Sequence, residues 1–521
     1  MTDSVRKNDG GGRAHGGHSR AAILTAALLL CHHACDVAGA VACSETVKPN
    51  VLIFYTDDQG FGDREKYNGD ILSMPNLETL AENGLEFTNG HSAATVCTPS
   101  RFAILTGVYA FRQNPSGGAV ESDATPMVPG HATLASLLKT VGYRTYMSGK
   151  WHLGMDIPED KENGEINGGP VDVGFDEFFG IPASMNYGNL AYIRDSTFTE
   201  PPDVYTAKDL YAQSSCPTKK RGKFCKTFSL EFPYSDSSKG HPISVGASFR
   251  ADYCLSNFTY EAIRMIQDHM TSYSDQPFFM YLSVTAPHLP HAPHPDFAGK
   301  NEYGAYADFL EEIDFRLGQV LQALQDLGIQ DETLVIYTSD NGPEEKKDFV
   351  KTGLLSTSIY KGEKRDLWEG GHRVPFIMQW PDGIEAGTTW TEAVSQVDLF
   401  ATLAEMTGAT LASDEDGRDS FSIWQPMCDI ASASNVREGQ PLVIEDDKAK
   451  LAVVCDDIKF NSKKKSRLYD LQEHPEENKS AKIWGKRRKF GKAMKNIWKE
   501  VQRNGHSEST LCPDTDAYRN L

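Results

Sequence analysis

The chain has 521 residues, 40% hydrophobic and 24% charged, which is long enough for a large core and ordinary for a globular enzyme. Its 72 acidic and 52 basic residues give a formal net charge of -20. That balance excludes nucleic acid as the main partner, because phosphate contacts need clustered Lys and Arg, and it requires any anionic substrate to find a locally positive pocket.

The N-terminus reads as an export signal. Arg6, Lys7, Arg13 and Arg20 precede the apolar run "AAILTAALLLC", and "AGAVAC" suits cleavage after Ala40 or Ala42, so residues 1–42 are expected to be removed. The run is short for a bilayer span and no later segment approaches the required length, so no integral membrane span is expected. The expected location is the secretory pathway, either extracellular or a lysosome-like compartment, or the periplasm of a bacterium. Cys31 and Cys35 leave with the signal, and Cys43 sits at its edge. Cys216, Cys225, Cys254, Cys428, Cys455 and Cys512 form an even set suited to disulfides, with Cys216 and Cys225 a candidate local pair. Asn257 and Asn478 head glycosylation sequons for a eukaryotic source.

The mature chain opens with the buried-type strand "NVLIFYTDDQG". A helix ("HATLASLLKTVG"), a strand ("YRTYMS"), a second helix ("YEAIRMIQDHM") and a second buried strand ("PFFMYLSVTAP") follow. A long helix, "YADFLEEIDFRLGQVLQALQDLG", ends at Gly328, and its acidic residues read as a solvated face. Then "TLVIYTSDNGPE" repeats the opening pattern of a strand ending in acids. This alternation predicts an α/β fold, a large mostly parallel central sheet flanked by helices, with ligands beyond the carboxyl ends of the strands. Residues from about 195 to 250 read as a polar excursion. After about residue 415 come short strands ("PLVIED", "KLAVVCDD") and the basic helix "KIWGKRRKFGKAMKNIWKEVQR". We read 43–415 as the catalytic domain and 416–521 as a smaller C-terminal α+β domain. The stripe Phe490, Met494, Ile497 and Val501 is expected to pack on the body, with the lysines in water.

Cys97 stands in "ATVCTPSRFAILTG", at the start of a helix that Thr98 can cap and Gly107 can end. A helix N-terminus favours anions and lowers a thiol pKa, which suits a thiolate. Arg101 is, however, too near in sequence for the phosphate-cradling loop of cysteine phosphatases. Asp57, Asp58, Asp340 and Asn341 are hard oxygen donors at two strand ends. Lys150 and His152, two apart in "GKWHLG", would point to one side of an extended segment.

"CTPSR" with "FAILTG" resembles the motif by which sulfatases mark the cysteine that is oxidised to formylglycine. "GYRTYMSGKWHLG", the acidic pairs, "KRDLWEGGHRVP" and "LYDLQEHPEEN" follow in the family's order, from about Asn50 to Asn478. The resemblance implies an alkaline phosphatase-like fold and hydrolysis of aryl or carbohydrate sulfate esters. It also implies a calcium ion, with magnesium the alternative, on Asp57, Asp58, Asp340, Asn341 and the modified Cys97. A formylglycine-generating enzyme would be a partner during biosynthesis, and the substrate a sulfated small molecule or sulfated glycan. The resemblance further places Arg101, Lys150 and Lys364 on the sulfate, His288 with Lys364 at the leaving alcohol, and His152 on the hydroxyl proton of the hydrated aldehyde. Lys361 competes with Lys364, while His291 and His294 read as loop-filling. The rival readings are a phosphonate monoester or phosphodiester hydrolase of the same superfamily, and a non-catalytic extracellular glycan-binding relative.

Overall fold

The computed structural model describes residues 46–203, 244–344, 353–428, 430, 436–437, 439–462, 467–480, 487–504 and 510–515. The export segment 1–42, Cys43, Cys216 and Cys225 lie outside them.

A ten-stranded sheet organises the molecule. Its strands are β1 (Asn50–Asp57), β2 (Leu85–Phe87), β3 (Arg144–Lys150), β4 (Glu177–Ile181), β5 (Ile193–Arg194), β6 (Thr197–Phe198), β7 (Phe278–Pro287), β8 (Thr333–Ser339), β9 (Phe376–Gln379) and β10 (Thr388–Trp390). Their spatial order is β10-β2-β9-β8-β1-β7-β3-β4-β5-β6. The central run from β8 to β4 is parallel, and antiparallel pairs flank it on both sides. Every residue of β1 and β7 is buried, as their unbroken apolar sequences require of strands covered on both faces.

Helices α1 (Pro75–Glu82), α2 (Cys97–Thr106), α3 (Leu134–Lys139), α4 (Cys254–Ser272), α5 (Ala305–Asp326) and α6 (Leu399–Thr407) cover that sheet. Alternate strand residues sort them: Val51, Ile53 and Tyr55 face the layer of α2, α3 and α6. Leu52 and Phe54 face that of α1, α4 and α5. The expected helices and strands are present, with α4 starting earlier than its periodicity suggested.

Two expectations need correction. The acids of α5 are not a solvated face: Asp308, Glu312 and Asp314 are buried. Asp308 accepts the N–H groups of Gly299 (2.7 Å) and Asn301 (2.6 Å), and Glu312 accepts that of His294 (2.7 Å). Asp314 accepts the Leu77 N–H at 2.8 Å, where the start of α1 favours negative charge. Asp308 and Glu312 therefore fasten the loop after β7, and Asp314 fastens the start of α1. Second, Cys254 is a free, buried thiol at the start of α4, so the even cysteine set does not close. Its neighbours Leu255 and Phe258 belong to the same apolar core. Cys455 pairs with Cys512, and Cys428 is also disulfide-bonded. Of the sequons, Asn478 is exposed, whereas Asn257 lies within α4 and donates to the Tyr192 hydroxyl (3.0 Å).

The C-terminal region is a four-stranded antiparallel sheet, β11 (Leu442–Glu445), β12 (Leu451–Cys455), β13 (Ile458–Asn461) and β14 (Arg467–Asp470), followed by α7 (Arg487–Asn504). One face of this sheet shares a core with Ala103 of α2, Tyr109 and α7. The other face packs on Leu367 and Trp368. The end of β11 grips the loop before Cys97. Glu445 accepts the Thr95 N–H on its carbonyl (2.8 Å), donates its own N–H to Ala93 (3.2 Å), and takes the Phe111 N–H on its carboxyl (2.9 Å).

Burial pushes the Glu445 carboxyl up to about 8 from the ordinary value of 4.5. The folded chain therefore holds a proton that the unfolded chain releases near the ordinary value. The stability carried by this group is complete below that pH and is lost as the pH rises toward 8. Glu445→Gln should keep the amide contact and flatten the fall of the thermal midpoint between about pH 6 and 8. A variant with the wild-type slope would contradict this.

Candidate active site

The carboxyl ends of β1, β3, β7 and β8 converge beside the start of α2. Asp57 ends β1 and Asp58 follows it, Lys150 ends β3, His288 follows β7, and Asp340 and Asn341 follow β8. All are buried, as are Cys97, Arg101, His152 and Lys364. Every site residue expected from the sequence thus falls in one neighbourhood, and Lys361 does not. The Lys361 ammonium lies over the Trp368 ring, 3.9 Å from its centre, and donates to the Glu477 carbonyl.

Cys97 opens α2, but Val96 rather than Thr98 holds the cap position, with no side-chain cap. Thr98 instead donates to the His152 carbonyl (2.9 Å) and accepts the Val120 N–H (3.2 Å), tying the helix start to the β3 exit. Gly107 ends the helix with φ +67°, as expected. Burial raises the Cys97 thiol pKa; Lys150 and Lys364 oppose the shift without reversing it. The local field therefore does not make a thiolate, and that reading of Cys97 loses its support.

Around Cys97 the charges are paired. Lys150 Nζ donates to Asp57 Oδ2 (2.6 Å), and Lys364 Nζ donates to Asp58 Oδ2 (2.7 Å). Arg101 donates from Nε and Nη2 to Asp340 Oδ2 (3.0 and 2.8 Å), while its Nη1 donates to Ser283 Oγ. Asp340 Oδ1 accepts the Asp58 N–H (3.0 Å), and Asn341 Nδ2 donates to Asp58 Oδ1 (2.6 Å). Burial, then the neighbouring Asp57, lifts Asp340 to about 6 against the pull of Arg101 and Lys150. Lys364 is held well above its usual value, because Asp58 and Glu344 outweigh its burial.

Two oxygens in this cluster, Asp57 Oδ1 and Asn341 Oδ1, are buried without a hydrogen-bond partner. Buried acceptors left unpaired are costly, and beside two further carboxylates they form a hard-oxygen donor set that suits a calcium or magnesium ion. Three cations (Arg101, Lys150, Lys364) balance three carboxylates (Asp57, Asp58, Asp340). A divalent cation would leave the pocket net positive, which is the local field that an acidic protein needs to hold an anion.

Both histidines are held toward the neutral form, chiefly by burial. Burial, then Lys150, holds His152 well below its usual value, and burial, then Lys364, does so for His288. His152 is not in extended backbone as expected but at φ +62°, with the Trp151 N–H donating to Ile181 at the end of β4 and its own N–H donating to Pro182 just beyond. Its Nε2 faces the Val120 carbonyl (3.0 Å), so that nitrogen carries the proton and the buried, unpartnered Nδ1 is an acceptor. His288 donates from Nδ1 to the Leu289 carbonyl, leaving Nε2 at 3.6 Å from Asp58 Oδ2. Asp58 (φ +67°) and Arg365 (φ +71°) also occupy the left-handed region. Such backbone costs on the order of 1 kcal/mol for a residue with a side chain and collects at functional sites.

A second buried group, His91, Glu369 and His372, has metal-like composition. It is filled by the Lys459 ammonium, which donates to Glu369 (2.8 Å) and His372 Nε2 (2.9 Å) and pairs with Glu477 (3.2 Å). His372 Nδ1–H then donates to His91 Nδ1, and His91 Nε2–H to Asn89. The proton accounting closes without a metal ion.

Sequence reasoning passed over Ser283, Glu344 and the Val120 carbonyl. Ser283, a polar residue inside an apolar strand sequence, carried a readable signal; it orients Arg101 and donates to the Lys150 carbonyl (2.9 Å). Glu344, bonded to Lys364 (3.2 Å) and Arg365, carried none.

A parallel sheet presenting buried carboxylates, an arginine and lysines at its carboxyl ends suits a hydrolase of anionic esters and is consistent with an alkaline phosphatase-like fold. The family description "Sulfatase" matches residues 49–409. An N-acetylgalactosamine-6-O-sulfatase of Bacteroides thetaiotaomicron is 30% identical over 390 residues, covering 70% of this chain and 74% of the relative. A steryl-sulfatase of Rattus norvegicus is 32% identical over 402 residues, covering 71% and 69%. A solved Bacteroides thetaiotaomicron structure from work on the metabolism of multiple glycosaminoglycans superposes with a TM-score of 0.73 at 27% identity, covering 87% of this chain and 99% of its own. The chain belongs to the sulfatase family and is a sulfuric ester hydrolase.

Proposed function

We propose that the protein hydrolyses a sulfate ester of a saccharide or aryl alcohol at a formylglycine made from Cys97, beside a calcium ion held by Asp57, Asp58, Asp340 and Asn341. The observation that carries this reading is the charge-balanced buried cluster around Cys97, with two acceptor oxygens lacking donors. The bound cation supplies Lewis acidity and positive charge. A formylglycine at position 97 would supply, once hydrated, one hydroxyl as nucleophile toward sulfur and a second as the means of release. Arg101, Lys150 and Lys364 supply the positive charge that holds the sulfate oxygens. His152 Nδ1, an acceptor without a partner, takes the hydroxyl proton. Lys364, held in its charged form by Asp58 and Glu344, returns a proton to the departing alcohol, while His288, whose Nδ1–H is committed to the Leu289 carbonyl, presents Nε2 as an acceptor beside Asp58. In this reading residues 43–415 carry the chemistry, and the region from 416 braces the Cys97 loop through Glu445. Export from the cytoplasm is supported by the Cys455–Cys512 disulfide.

The test compares 4-nitrophenyl sulfate with bis(4-nitrophenyl) phosphate and a phenyl phosphonate monoester, using protein expressed with a formylglycine-generating enzyme. Sulfate turnover should exceed both, fall on chelation, and return with calcium more fully than with magnesium. Faster turnover of either phosphorus ester would favour the rival hydrolase, and indifference to chelation would remove the cation.

A further inference from the structure

We propose that the exposed face of α7 is a docking surface for a sulfated polysaccharide, so that the substrate is a polymer held by the helix as well as by the active site. This rests on the sulfate-ester reading above. The helix carries seven basic residues and one acid, in a chain whose net charge is -20. Its apolar residues Phe490, Met494, Ile497 and Val501 are buried against the C-terminal sheet. At about 100° per residue, Lys489, Lys492, Lys499 and Arg503 fall within an arc of about 80°, on the side opposite that stripe. All four are exposed, and none makes an ion pair or side-chain hydrogen bond among the described residues. They form a row about 21 Å long at 1.5 Å per residue.

The chemistry of this row selects its partner. A basic helix that lies on a membrane must bury an apolar face in lipid, and here that face is already spent on the protein core. The row is mostly lysine, a strongly hydrated point charge suited to holding a line of anions rather than reading one group in two places. A linear chain with a repeating sulfate matches it, and the same chain supplies the ester to be cut. Electrostatic holding of this kind raises encounter rates by roughly 10- to 1,000-fold and weakens steeply with salt.

Deleting the helix would uncover Phe490, Met494, Ile497 and Val501, so neutralisation is the cleaner test. The full-length quadruple variant Lys489→Gln, Lys492→Gln, Lys499→Gln and Arg503→Gln keeps good helix formers and the apolar stripe. It should elute from immobilised chondroitin sulfate or heparin at lower salt than wild type. Its kcat/KM on the soluble polymer should fall about tenfold at low ionic strength, with 4-nitrophenyl sulfate turnover changing less than about twofold. An all-arginine version at the three lysines should behave as wild type. Unchanged retention, unchanged polymer kcat/KM, or equal losses on both substrates would overturn the proposal, as would stronger binding to duplex DNA or to phosphatidylserine vesicles than to the polymer. Absence of 4-nitrophenyl sulfate turnover in the wild type, with helix-dependent retention intact, would strike the sulfate-ester reading instead.

Discussion

Replacing Cys97 with serine should lower sulfate-ester turnover by roughly 1,000-fold or more while leaving the fold unchanged. Serine nearly matches cysteine in volume, and the site around position 97 is fixed by contacts that do not involve the thiol. The loop before it is held by Glu445 on one side and by the Arg365 N–H on Thr95 (2.9 Å) on the other. Serine has one hydroxyl and cannot be converted to the aldehyde by sulfur chemistry, so the step that releases sulfate has no second hydroxyl. Near-identical thermal midpoints with lost turnover would assign the loss to chemistry. A serine variant that turns over within tenfold of wild type would remove Cys97 from the reaction.

Arg101→Met should be costly in both stability and activity. The guanidinium is fully buried and meets Asp340 with two N–H groups, with Asp57 at 3.6 Å and Ser283 on its far side. Removing one partner of a buried ion pair leaves an uncompensated charge, at a cost of about 3–5 kcal/mol. Asp340 would then be drawn toward its protonated form, because burial already holds it at about 6. The double variant Arg101→Met with Asp340→Asn should lose less stability than the two single variants added together, since the stranded charge is gone. Urea unfolding checks both statements. A single-variant loss under about 1 kcal/mol, or strict additivity, would show that the pair is not coupled as described.

The site was legible where its chemistry coincides with local pattern. Asp57, Asp58, Asp340 and Asn341 follow unbroken apolar runs, and in a parallel sheet such residues must gather at one edge. Lys150 could be placed by the same logic, because β3 pairs with β7 in parallel register. "WEGGHR" and "PEEN" also have a physical basis. Glu369, His372 and Glu477 enclose Lys459, and the Glu369 N–H donates to the Glu477 carboxylate (2.6 Å). What was not legible depends on distant partners. The spacing of Asp308, Glu312 and Asp314 looks like a wetted helix face until the loop after β7 and the start of α1 supply N–H donors. Cys254 looks like half of a disulfide until its position in an apolar core is known. The capping assignment at Thr98 failed because the hydroxyl is claimed by His152 and Val120, residues far along the chain.

The most direct test is peptide mass analysis of the Cys97 peptide from protein made by its native host. The account predicts a residue at position 97 in which oxygen has replaced sulfur and two hydrogens are lost, in the fraction of molecules that accounts for turnover. Active protein carrying only unmodified cysteine at that position would contradict it.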